Sequence, residues 1–269
     1  MVRGTNWVGD SVMTVPALRA LRRLLPDAKI TLAIRPSAKG IFSEVDFIDD
    51  LLVYDRRNAL SVVSQIREWR RRQFDLAVLF QNAFEAALIP FLAGVPIRLG
   101  YATESRQAML THPLPLPDWR SSKHEVFYYL YLITALEQLL SGTSTVCETD
   151  PDISLAISES RKLEAAQLLR SYGVSEAKSV VAICPGSINS RAKRWPAESY
   201  AALADRLLEQ QRQGLLIGSR DEIDVTNEVT SRMRHQPVVL TGKTTLDQIT
   251  AVLGMVDLVV TNDTGPAHI

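Results

Sequence analysis

The stretch VVAICPGSINSRAKRWPAESYAALADRLL, residues 180–208, decides the fold. Val180 to Cys184 form a short apolar run rich in β-branched residues, the composition of a buried strand. Pro185-Gly186 breaks the run, and a small, basic loop follows. From Pro196 onward, Tyr200, Leu203, Ala204, Leu207 and Leu208 fall at the i, i+3, i+4, i+7, i+8 positions of an amphipathic helix. Pro196 suits the first turn of that helix, where its missing N–H costs nothing. A strand, a loop and a helix in direct succession make one unit of a parallel sheet.

The same alternation extends in both directions. Toward the N-terminus, strands are expected at Ile30 to Ile34, Leu51 to Tyr54, Leu76 to Phe80 and Ile97 to Gly100, with helices near 12–24, 58–72, 83–93 and 124–140 and another near 158–172. Toward the C-terminus, strands are expected at Leu215 to Ile217, Val238 to Leu240 and Leu258 to Thr261. The pattern is α/β, with parallel sheets covered by helices on both faces. Between Ser141 and Asp152 the sequence SGTSTVCETDPD is small, polar and acidic, a linker composition that divides the chain into domains at 1–150 and 151–269.

Composition narrows the function. The 269 residues carry 30 basic and 30 acidic side chains, so no global field draws the chain to nucleic acid. Cys147 and Cys184 lack metal-site or scaffold spacing and fit a reducing compartment. No apolar run approaches the ~18 residues of a membrane span, and no signal peptide opens the chain, so a soluble cytoplasmic protein is expected. The most apolar tract, Ala86 to Val95, contains Pro90 and Gly94 and reads as a buried helix. Gly242-Lys243-Thr244 imitates the end of a phosphate-binding P-loop, but Pro237 stands where that motif needs its first glycine. Neither a G-x-G-x-x-G fingerprint nor a G-x-S-x-G elbow occurs.

Three loops carry chemistry. Trp7-Val8-Gly9-Asp10-Ser11 sits before the first helix, at the carboxyl end of a strand, where open α/β sheets bind ligands. Asp10 there is either a general base toward a hydroxyl or, like Ser11, a helix cap. Pro185-Gly186-Ser187 leading to Lys193-Arg194-Trp195-Pro196 either cradles a diphosphate or is an exposed basic loop, with Trp195 stapling the next helix. Asn262-Asp263-Thr264-Gly265-Pro266-Ala267-His268 would place Thr264 and Gly265 at a helix N-terminus, suited to a phosphate or merely capped by Asp263 or Thr264.

Together, WVGDSVMTVPALRAL, QNAFEAALIPFLAGVPIRLGY, CPGSINSRAKRWP, Ile217-Gly218-Ser219-Arg220-Asp221-Glu222 and TNDTGPAH resemble glycosyltransferase family 9, in order and over essentially the whole chain. The resemblance implies two Rossmann-like domains in the GT-B architecture, residues 1–150 binding an acceptor and 151–269 a nucleotide-sugar donor. It implies heptose transfer, with inversion, from ADP-heptose to a heptose or Kdo sugar of the lipopolysaccharide inner core. By the same likeness Asp10 is the base and Lys193 stabilises the departing diphosphate. Gly9, Ser187, Asp263, Thr264, Gly265 and His268 join the donor site, and Asp221 or Glu222 binds the ribose. Such acceptors are anionic, so Arg56, Arg57, Arg98, Arg106 and Arg120 are acceptor candidates, and the run Arg70-Arg71-Arg72 could approach the inner membrane. No Asp-x-Asp metal motif accompanies the loops, and neither cofactor nor metal is expected.

The opening MVRGTNWVGD leaves almost no room for a first strand, and the chain stops at Ile269 just after His268. Against family members this reads as a truncated second domain. A family 9 or GT-B transferase for another sugar nucleotide, an epimerase and a nucleotide-binding fragment without turnover are the alternatives.

Overall fold

A computed structural model describes residues 1–55, 59–146, 151–175, 177–187 and 190–269. Its strands fall into two parallel sheets in two units, Met1–Ser154 and Leu155–Ile269. In the first unit β1 (Val2–Arg3), β2 (Thr31–Ile34), β3 (Asp50–Val53), β4 (Leu76–Leu79), β5 (Ile97–Tyr101) and β6 (His112–Leu114) take the order β3-β2-β1-β4-β5-β6. In the second, β7 (Val180–Cys184), β8 (Gln213–Leu216), β9 (Val238–Val239) and β10 (Leu258–Thr261) take the order β10-β7-β8-β9.

Helices α1 (Val8–Met13), α2 (Val15–Leu24), α3 (Ala59–Arg72), α4 (Phe84–Ala93) and α5 (Glu125–Ser141) cover the first sheet. Helices α6 (Glu159–Ser171), α7 (Ala197–Glu209), α8 (Ile223–Arg232) and α9 (Leu246–Leu253) cover the second. They pair as α2 with α5, α3 with α4, α6 with α9 and α7 with α8. The all-apolar run of β7 follows from this double cover. Val180, Ala182 and Cys184 pack with Ala165, Leu169 and Val252, while Val181 and Ile183 pack with Tyr200, Ala204 and Val229.

The structure revises several expectations. A first strand is present: Val2 and Arg3 lie between Leu32-Ala33 and Val78-Leu79, and the Met1 amine donates to the Leu76 carbonyl at 2.6 Å. Two residues suffice because they are paired on both sides. The expected helix at 12–24 is two helices, α1 and α2, meeting at Thr14, with Pro16 in the first turn of α2. The tract at Ala86 to Val95 forms α4 with only one face buried. Ala86, Ala87 and Ile89 lie in the core, but Phe84, Phe91 and Leu92 remain 48%, 44% and 41% exposed. Strand β6 and helices α8 and α9 lie outside the elements read from the sequence.

Candidate active site

The strand orders locate the two edges where a ligand can enter. In the first sheet the connections from β1 and β4 run to opposite sides, and in the second β7 connects to β8 on one side while β10 lies on its other side. Divergent connections open a crevice at the carboxyl ends of neighbouring strands. The Trp7–Ser11 segment follows β1, and the Pro185–Ser187 and Asn262–His268 loops follow β7 and β10.

At the second edge, Thr261 pairs with Cys184, so the residues after β10 lie beside those after β7. Lys193 and Asp263 meet here, Nζ to Oδ2 at 2.5 Å, with side chains 51% and 69% exposed. The ammonium holds the Asp263 carboxyl below its usual range. His268 Nε2 lies 3.9 Å from Asp263 Oδ1. Thr264 Oγ1 stands 3.3 Å from Thr261 Oγ1, and Gly265–Ala267 form a single 3₁₀ turn. Ser187 is buried, and its carbonyl accepts from Arg194 Nη2 at 2.8 Å and Nε at 3.2 Å. Burial pushes the Cys184 thiol up to about 12, which makes it inert.

Packing sets the two acids after Gly218 apart. Asp221 is exposed, whereas Glu222 is buried between the ends of β7 and β8. Glu222 Oε2 accepts from the Ser219 N–H at 2.7 Å and the Ser219 hydroxyl at 2.9 Å. A Cβ added to Gly186 would lie 2.0 Å from Glu222 Oε1, and one added to Gly218 3.2 Å from Oε2. Gly186 is therefore needed for Glu222 to approach the backbone, and Gly218 leaves it a closer fit than a larger residue would, a requirement that no spacing rule announces.

The sequence reading missed Asn262. This buried side chain donates through Nδ2 to the carbonyls of Pro185, at 2.9 Å, and Gly186, at 3.0 Å. Its Oδ1 accepts from the Trp195 N–H at 3.0 Å and the Tyr200 hydroxyl at 2.9 Å. Trp195 packs edge-on against Tyr200 at 5.1 Å, the staple expected at the start of α7, with Pro196 just outside the first helical turn.

At the first edge the helix begins earlier than expected. Trp7 is the N-cap of α1, and Gly9 and Asp10 lie half-buried in its first turn, so neither Asp10 nor Ser11 caps it. Ser11 Oγ instead donates to the Trp7 carbonyl at 2.8 Å. Buried Tyr129 on α5 has its hydroxyl pKa raised by desolvation, then by the charges of Asp10 and Glu125. Arg120 joins the same neighbourhood, its Nη1 2.6 Å from Glu125 Oε2 and its guanidinium 4.2 Å over the Tyr128 ring.

Two other arginines are turned inward. Arg106 is fully buried, donating to the Tyr101 carbonyl at 2.8 Å, to Asn82 Oδ1 at 3.1 Å and to the Gln81 carbonyl, and burial lowers its pKa to about 10. Arg98 donates to the carbonyls of Met109 and Val95. As placed, both brace loops, and the buried Arg106 guanidinium offers nothing to a surface ligand. Arg56 and Arg57 lie outside the described residues. Arg72 pairs with Glu68 and Asp50 and Arg71 with Glu68, while Arg70 donates to the Leu92 carbonyl at 2.6 Å. Among the described residues no helix is long and apolar enough to cross a membrane, and no cluster of three or more acidic, His or Cys side chains is placed to hold a metal.

Comparison with known proteins bears on this arrangement. The family model for glycosyltransferase family 9 (heptosyltransferase) matches residues 62–269. Lipopolysaccharide heptosyltransferase 2 of Escherichia coli is 26% identical over all of this chain and 78% of its own length. Among solved structures, a family 9 glycosyltransferase from Veillonella parvula superposes with a TM-score of 0.87 at 25% identity, covering 99% of this chain and 75% of that one. The E. coli ADP-heptose lipopolysaccharide heptosyltransferase II superposes with a TM-score of 0.83 at 25% identity, covering 98% and 78%. With the family model spanning more than half of its length and two parallel α/β units of the GT-B class, the chain belongs to glycosyltransferase family 9, the heptosyltransferases.

Proposed function

We propose that this glycosyltransferase moves L-glycero-D-manno-heptose from ADP-heptose to a heptose or Kdo sugar of the lipopolysaccharide inner core, with inversion at the anomeric carbon. The observation that carries the reading is the convergence of Lys193, Asp263, Thr264 and Glu222 where β7, β8 and β10 end, in a chain similar along its whole length to lipopolysaccharide heptosyltransferase 2.

On this reading residues 151–269 hold the donor and 1–150 the acceptor. The exposed Lys193–Asp263 pair is worth only about 0–1 kcal/mol, so a diphosphate can draw Lys193 away at little cost. Lys193 then neutralises charge that grows on the diphosphate as the anomeric C–O bond breaks. Thr264, Gly265 and His268 line the phosphate side, Ser187 supports it from within the loop, and Glu222 rather than exposed Asp221 is the acid for the ribose hydroxyls. Asp263, freed of Lys193, faces the sugar. In the first unit Asp10, in a helix turn whose dipole favours a carboxylate, takes the proton from the acceptor hydroxyl as its oxygen bonds to the anomeric carbon. Gly9 leaves the backbone beside it open. Arg120 and the Arg56-Arg57 pair meet the anionic acceptor, at the cytosolic face of the inner membrane.

Titrating the protein with ADP-heptose, ADP-glucose, UDP-glucose and GDP-mannose, each with and without a core oligosaccharide, tests the reading. Acceptor-dependent transfer from ADP-heptose alone is expected. Transfer from another sugar nucleotide at equal or greater rate would replace the donor assignment.

A further inference from the structure

We infer that Asn262 is a positioning residue for the diphosphate: its carboxamide sets the spacing of the loops that the proposed donor site needs. The inference rests on that reading of the second unit as the donor half. Asn262 has two N–H donors and an oxygen with two lone pairs, and all four capacities are used, toward Pro185, Gly186, Trp195 and Tyr200. The partners fix the amide's orientation. Turned over, its NH₂ would face the Trp195 N–H and its oxygen would face two carbonyls.

Gly186 precedes Ser187 and abuts the Glu222 carboxylate. Trp195 lies two residues after Lys193, and Asp263 directly follows Asn262. One buried side chain therefore references the glycine loop, the lysine loop and the Asp-Thr-Gly loop to one another. The exposed pair of Lys193 and Asp263, 2.5 Å apart, joins two of the same loops at the surface. Arg194 provides a second tie through the Ser187 carbonyl, but only between the first two loops. A diphosphate requires its N–H groups and its cation together, so a loop displaced by an ångström loses affinity and rate although no ligand-touching residue has changed.

Asn262→Asp is the incisive variant. It keeps the acceptor for Trp195 and Tyr200 but points a carboxylate oxygen at two carbonyl oxygens, driving the Pro185-Gly186 segment away. Asn262→Ser, whose shorter side chain retains a single hydroxyl donor, is measured beside it and stands in if the Asp variant does not fold. Tyr200→Phe deletes one of the four bonds and leaves the three that join the loops. ADP affinity of the folded protein is measured by calorimetry, and kcat and acceptor KM by transfer assay. Expected are ADP binding weakened about tenfold or more and a lower kcat in Asn262→Asp and Asn262→Ser, acceptor KM within about twofold of the parent, and ADP affinity near the parent's in Tyr200→Phe. Folded Asn262 variants that bind ADP like the parent would overturn the positioning role and leave the donor reading standing. A parent protein that binds no nucleoside diphosphate, with UDP and GDP tried alongside ADP, would overturn both.

Discussion

Asp10 and Lys193 carry different parts of the proposed transfer, and their replacement separates the parts. Asp10→Ala is expected to lower kcat by about 100-fold, the scale of losing a general base, while ADP affinity stays near the parent's. Near-normal turnover in that variant would leave Asp10 only its favourable place in the helix dipole. Lys193→Ala is expected to weaken ADP binding and also lower kcat, since the same charge meets the diphosphate before and during departure. A charge-assisted contact is worth about 1.5–3 kcal/mol, roughly 10- to 100-fold in the dissociation constant read by calorimetry. Gly186→Ala should cost about 1–3 kcal/mol in chemical denaturation, because its Cβ would fall 2.0 Å from Glu222 Oε1 and the buried carboxylate must move. Residues of this kind differ in how far sequence exposes them. Asp10 and Lys193 stand in motifs, so the sequence alone nominates them. Asp221 and Glu222 were inseparable, since their difference lies in which one packs against Gly186. Asn262 was invisible in its role, because it depends on Thr261 of β10 pairing beside Cys184 of β7, 77 positions earlier in the chain.

At the scale of elements, the β7–α7 unit was read almost to the residue because its apolar runs, its breaker and its stapled helix start agree with one another. Helix α9 carried an equally good start signal. Thr245 and Gln248 form a reciprocal capping box, but the helix has only eight residues and follows a loop that imitates a P-loop. Helix α8, IDVTNEVTSR, is rich in β-branched residues with low helix propensity, and packing of Val229 against β7 and β8 overrides that preference. The end of α7 is tied to the segment after α8 by Asp205. Burial raises its carboxyl pKa, but the N–H groups of Arg234 and His235, donating at 3.0 Å, outweigh this and leave the pKa below the usual value. A depressed folded-state pKa gives stability that is present above the unfolded value, near ~4, and lost as pH falls through the folded value. Asp205→Asn should therefore be less stable than the parent at neutral pH, with a gap in urea denaturation that narrows below about pH 4. A gap independent of pH would show that the carboxylate charge contributes nothing.

On the scale of the whole molecule, the change of composition after Ser141 announced two parallel α/β units, and the structure separates them after Ser154. The α/β class was legible because helix and strand periods alternate along the chain. The strand orders were not, since β1 has two residues and β6 contains Pro113, and neither reads as a strand by itself. Those orders nevertheless put the proposed base after β1 and the proposed diphosphate loops after the neighbouring strands β7 and β10, at the carboxyl edge of each sheet. Donor and acceptor assignments by unit then lead to one requirement: cleavage of the sugar nucleotide must wait for an acceptor hydroxyl. The direct test is the rate of ADP release from ADP-heptose by the purified protein, measured with and without a core oligosaccharide. ADP release that depends on the oligosaccharide and matches the heptosylated product mole for mole is the expected result. Release at the same rate without acceptor, or none with acceptor from a protein that binds ADP-heptose, would contradict the proposed transfer.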